Sequence, residues 1–130
     1  MHDTTQGQAR GRADFRANER RARRSDDTMT ALHYQLAFAR HQGGFDALVL
    51  ADSAGCVVAG AGAWATCELL AAYAPLLAHD DSTSPPMPDV EIHKLAVDGG
   101  EVLLCSRGGG TERAPSMSRA ASGCRRILNV

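Results

Sequence analysis

No apolar run of about 15 residues, the length that a signal-peptide core or a membrane span requires, occurs in this 130-residue chain. A cytoplasmic location is therefore expected. The four cysteines, Cys56, Cys67, Cys105 and Cys124, include no Cys-x-x-Cys pair and have no His at ligand spacing, which excludes the common zinc motifs and a disulfide framework. Each stands where an apolar residue would serve, so all four are expected as buried thiols in a reducing compartment. The five histidines (His2, His33, His41, His79, His93) show no metal pairing, and Ser53 lacks the flanking glycines of a nucleophile elbow. Asp46, Asp52, Glu68, Asp80 and Asp81 supply carboxylates without a spacing that pairs an acid with a base, and solvated carboxylates are the plainer reading. No catalytic residue, metal ligand or cofactor-binding residue is assigned, and the chain is not expected to be an enzyme.

Glycine-rich segments are present but incomplete as motifs. Gly60-Ala61-Gly62-Ala63-Trp64-Ala65 fits G-x-G-x-x-A, the pattern that lets a backbone approach a pyrophosphate in a parallel βαβ unit. Here the preceding strand is the return arm of a hairpin and Trp64 adds bulk, so Gly60 and Gly62 are read as permitting a tight strand-to-helix turn. Gly108-Gly109-Gly110 lacks the Lys and Ser or Thr of a phosphate loop and is read as a flexible connection.

The net charge of −1 conceals an asymmetry. Residues 1–24 carry seven Arg against Asp3, Asp14 and Glu19, a balance of +4, which leaves −5 for the remainder. An Arg-rich arm such as Arg20-Arg21-Ala22-Arg23-Arg24 suits nucleic acid or an acidic partner. With Phe15 its one aromatic and little apolar periodicity, however, residues 1–27 are expected to be a disordered arm, Met29 an alternative start of the functional chain, and nucleic acid not the main partner. Residues 28–130 form the expected domain, large enough to bury roughly two thirds of its unfolded surface.

Within that domain the elements are well marked. Ser25-Asp26-Asp27-Thr28 offers N-caps, and Met29, Leu32, Leu36 and Ala39 recur at helical spacing until Gly43-Gly44. Phe45 to Ala51, a turn at Asp52-Ser53-Ala54-Gly55 and Cys56 to Ala59 read as a β-hairpin whose first strand, apolar on both faces, is central. A helix starts near Ala63 and carries Trp64, Cys67, Leu70, Tyr73, Leu76 and Leu77, with Pro75 expected to kink it or end it early. His79 to Pro88 reads as loop. Val90 to Val97, the Asp98-Gly99 turn and Glu101 to Arg107 read as a second hairpin. Pro115 then opens a helix whose stripe is Met117, Ala120, Ala121, Cys124, Ile127 and Leu128.

The order helix, hairpin, helix, hairpin, helix, together with Gly44-Phe45-Asp46-Ala47-Leu48-Val49-Leu50-Ala51-Asp52-Ser53-Ala54-Gly55 running into Cys56-Val57-Val58-Ala59, resembles the roadblock family of dynein-light-chain-like proteins, in its bacterial form. The resemblance covers residues 28–128. It implies an α+β sandwich of roadblock/profilin type, a mostly antiparallel sheet of four to five strands flanked by three helices. It also implies a non-catalytic, homodimeric regulator or scaffold that binds a partner protein, with a small Ras-like GTPase as candidate. The family usually has five strands, whereas four are legible here. Sensor domains of GAF and PAS type share a sheet flanked by helices and give the alternative function, a small ligand held between the sheet and the Gly60 to Trp64 and Pro85 to Pro88 loops. A covered sheet leaves Tyr34, Leu36 and Phe38 on overlapping faces of the first helix, so self-association is expected. The interface residues assigned are Leu36, Phe38, Trp64 and Tyr73, and no membrane partner is expected.

Overall fold

The computed structural model describes residues 8–79 and 89–129. A helix α1 (Gln8–Gly43) leads into strands β1 (Phe45–Ala51) and β2 (Val57–Gly62), then α2 (Trp64–His79), β3 (Val90–Val97), β4 (Gly100–Gly108) and α3 (Arg113–Leu128). The sheet is antiparallel throughout with strand order β2-β1-β4-β3. The chain thus has an α+β fold, and four strands are found among the described residues.

Alternation along β1 splits the core in two, because successive strand side chains point to opposite faces. Leu48 and Leu50 join Leu95 and Leu104 against Leu32, Leu36 and Ala39 of α1 and Met117, Ala120 and Cys124 of α3. Ala47, Val49 and Ala51 join Leu103 and Cys105 against Cys67, Leu70, Ala71 and Ala74 of α2. The result is three layers, with α1 and α3 on one side of the sheet and α2 alone on the other. Covering both faces explains why β1 reads as an unbroken apolar run. Where α1 crosses α3, Gly123 faces the end of the Gln35 side chain, which a Cβ there would displace.

The turns follow the chemistry of their residues. Asp52 Oδ1 accepts hydrogen bonds from the amides of Ala54 (3.0 Å) and Cys56 (2.9 Å), an Asx-type closure of the first hairpin. Asn129, capping α3, accepts from the Asp98 amide at 2.9 Å and donates to the Ala96 carbonyl, which ties the helix end to the second hairpin.

Several expectations are corrected. Helix α1 begins at Gln8 rather than near residue 28, so residues 8–27, expected as part of a disordered arm, continue the helix. This segment is rich in Arg and Ala and has no Pro, and extending a helix already anchored by Met29 to Ala39 avoids the costly nucleation step. The rest of the expected arm, residues 1–7, and the expected loop at 80–88 lie outside the described residues. Strand β2 starts one residue later and ends three later than expected, at Gly62. Pro75 does not end α2, which continues to His79. Proline has no amide to bond the carbonyl four residues back. That carbonyl, on Ala71, faces the first hairpin, where a Cβ on Gly55 would lie 3.3 Å from it.

Gly108 to Gly110 is a shaped connection. The φ angles of Gly108 and Gly109 are +76° and +119°, the Gly110 amide donates to the Gly43 carbonyl at 2.8 Å, and a Cβ on Gly109 would stand 2.9 Å from the Phe45 ring. Glycine is required because the connection wraps a buried aromatic. Lastly, Cys56 is exposed in the hairpin, while Cys67, Cys105 and Cys124 are buried as expected.

Candidate functional site

Helix α2 is where the sequence and its surroundings disagree most. Its sixteen residues, WATCELLAAYAPLLAH, carry a single acidic residue, Glu68, and apolar residues on every side. One side is used by the core, through Cys67, Leu70, Ala71, Ala74 and Ala78. The opposite side presents Leu69, Tyr73 (38% exposed) and Leu76 to solvent, interspersed with Ala65 and Ala72, while Trp64, the first residue of the helix, is 58% exposed beside the core side. Leu69, Tyr73 and Leu76 follow at steps of four and three, the spacing of one helix face. A helix apolar all round belongs in a buried setting, and the isolated chain supplies only half of one.

The base of this helix is held rigidly against the sheet. A Cβ on Gly60 would stand 3.0 Å from the Cys67 sulfur, so the glycine lets α2 approach β2. Gly62 has φ +111°, and a Cβ there would be 2.6 Å from the Asp46 carbonyl oxygen, a conflict no ordinary side chain could relieve. Both glycines therefore serve the strand-to-helix turn. The Cys67 sulfur occupies the space against Gly60, one end of the wall where a sensor-type ligand would sit; Pro85 to Pro88, the other wall, lies outside the described residues.

Of the four assigned interface residues, the structure separates three kinds. Trp64 and Tyr73 are both exposed on α2 but, nine residues apart, lie on different sides of it. Phe38, 51% exposed, sits with Tyr34 on the outer side of α1, across the sheet from α2. Leu36 is fully buried in the core between α1, α3 and the sheet, so its assignment to an interface is corrected: it points inward with Leu32 and Ala39. Sequence reasoning missed Leu69, although the doubled Leu69-Leu70 and Leu76-Leu77 pairs place an apolar residue on both sides of one helix. That doubling was the available signal.

The titratable groups add no catalytic grouping. Asp52 is engaged in its hairpin, Glu68 is exposed on α2, and Asp80 and Asp81 lie outside the described residues. His33 Nδ1 lies 3.1 Å from the Gly60 carbonyl oxygen, and His93 pairs with Glu91 at 2.8 Å on the exposed sheet edge. Among the described residues no three His, Cys, Asp or Glu side chains gather as a metal site. Burial pushes the Cys105 thiol up to about 12 and the Cys124 thiol up to about 11; Cys67 is also raised by burial, against a hydrogen bond to the Ala61 carbonyl and the charge of Arg40. These thiols are packing groups rather than nucleophiles.

No protein-family model and no curated protein sequence matches this chain. Solved structures do. The Myxococcus xanthus MglB structure matches at a TM-score of 0.53 with 13% identity, covering 76% of this chain and 88% of its own. The gliding protein MglB from Thermus thermophilus matches at 0.51 with 18% identity over 78% of this chain and 90% of its own. An MglB with a tetrameric arrangement matches at the same TM-score, identity and coverage as the Thermus structure. MglB is a roadblock-domain protein, so this chain has the roadblock-like fold that its sequence resembles.

Proposed function

We propose that this protein is a non-catalytic, dimeric regulatory or scaffold module that binds a partner protein, and that the partner is a small Ras-like GTPase. The observation that carries the reading is the outer side of α2, where Leu69, Tyr73 and Leu76 form an apolar face with only Glu68 charged among its neighbours, and Trp64 is exposed at the start of the same helix. Aromatic side chains on such a face are the usual anchors of protein interfaces. The roadblock-like fold shared with MglB supports a regulatory role of the kind that the family resemblance implies. A cytoplasmic site of action follows from the partner class; among the described residues no helix is long and apolar enough to cross a membrane.

Residues 28–130 are proposed as the unit that folds and associates, and the test should use both this unit and the full chain. Analytical ultracentrifugation should find a dimer for each, and Leu69→Asp with Tyr73→Asp should yield a folded monomer. A monomeric parent protein at tens of micromolar would refute self-association. The partner is tested by immobilising the protein and passing small GTPases of its own cell over it, loaded in turn with GDP and a non-hydrolysable GTP analogue. Binding of neither form would refute the GTPase reading while leaving the dimer intact.

A further inference from the structure

The continuation of α1 to Gln8 changes the meaning of the basic arm. Among the residues whose side chains are described, core packing of α1 begins at Met29, and residues 8–28 continue the helix for about 30 Å, at 1.5 Å per residue. Within this extension Arg12, Arg16, Arg20 and Arg24 succeed one another at four-residue steps. Continuing by alternating three- and four-residue steps through Asp27, an exposed carboxylate, and Ala31, the same helical side reaches Tyr34 and Phe38, which are 77% and 51% exposed. One side of a single helix thus carries four arginine positions followed by two exposed aromatics.

We infer that this side of α1 binds a single strand of nucleic acid, with the arginine positions on the phosphates and Tyr34 and Phe38 as the platform for bases. Three features select that occupant. Every basic residue of the arm is Arg, whose planar fork pairs with phosphate in a bidentate way that Lys does not reproduce. Positions 12 to 24 span about 18 Å of helix, over which a strand that keeps the stacked duplex rise of about 3.4 Å per phosphate offers about five charges, and a more extended one fewer. Exposed aromatics beside a cationic track are the arrangement that holds unpaired bases without sequence preference. A lipid surface is disfavoured because residues 8–27 contain Phe15 as their one large apolar residue, too little to enter the acyl region. The α2 face takes no part, so this inference and the proposed function stand or fall separately.

The test is fluorescence anisotropy of a labelled 20-nucleotide oligo-dT with the full chain at 50 to 200 mM salt. Four phosphate contacts predict a log–log salt slope of about −2.8, equivalent to about 50-fold weaker binding across that range. Replacing Arg12, Arg16, Arg20 and Arg24 together by Gln, a comparable helix former, should abolish the slope; the corresponding Lys variant should retain most of it. Tyr34→Ala should weaken binding about ten-fold with the slope unchanged, because stacking releases no counterions. Circular dichroism checks that each variant keeps its helix content. Absence of salt-dependent binding, a Gln variant that binds like the parent, or capture by phosphatidylserine vesicles without capture of the oligonucleotide would overturn the inference.

Discussion

The outer sides of α2 and α1 are both exposed in the single chain, yet they are built from opposite materials. That of α2 is apolar with a single carboxylate, Glu68; that of α1 combines arginine positions with Tyr34 and Phe38. Apolar exposure over a whole helix side is relieved by a second protein surface, because removing that area from water is the driving force of association. A cationic track with isolated aromatics gains little from dry contact and much from a polyanion. The sheet between them keeps the two proposed surfaces physically apart, so each can be altered with the other intact.

The largest expected effect would break the comparison on the α2 side. Leu69→Asp with Tyr73→Asp places two charges on the apolar face and should weaken self-association by about 4 kcal/mol, at about 2 kcal/mol for each central interface side chain, as read by sedimentation equilibrium. Next comes the contrast between the two sides of α1. Leu36→Ala empties a fully buried site and should lower unfolding stability by about 3 kcal/mol, whereas Phe38→Ala should change it by less than about 0.5 kcal/mol; urea melts of the two variants measure the difference.

Alkaline titration sharpens the comparison of the two core layers, since Cys105 lies on the α2 side of the sheet and Cys124 on the α1/α3 side. Both thiols stay protonated in the folded protein above the ordinary value of 9.0, up to about 12 and about 11. Below pH 9 neither state ionises and no stability is lost. Between pH 9 and 11 the unfolded chain releases these protons and the folded one does not, so stability should fall by about 1.4 kcal/mol per pH unit for each thiol. Cys105→Ala or Cys124→Ala should each remove its own share of that slope. The smallest effect is expected at Cys56, which is exposed: a thiol reagent should label it first in the native protein, with no change in melting temperature.

Most of the fold was legible because local and tertiary signals agree. The run Phe45 to Ala51, the Asp52 turn and the Asp98-Gly99 turn each specify one conformation, and the structure adopts it. Leu36 was misjudged because helical spacing identifies an apolar side but not how far the core wraps around it; the third helix, distant in sequence, supplies the cover. The helical arm was missed for the converse reason. Periodicity is what marks a helix in a sequence, and residues 8–27 carry little apolar periodicity. Leu69 was written in the doubled leucines of α2, legible only once both sides of that helix are asked to be covered.

Gly55 and Pro75 are twenty residues apart and belong to different elements, yet they meet at the Ala71 carbonyl, which the proline leaves without its helical partner and which the hairpin approaches. Replacing Gly55, with φ +86°, would therefore strain the hairpin and crowd that carbonyl together, so one residue answers at once to its own turn and to a helix it does not belong to.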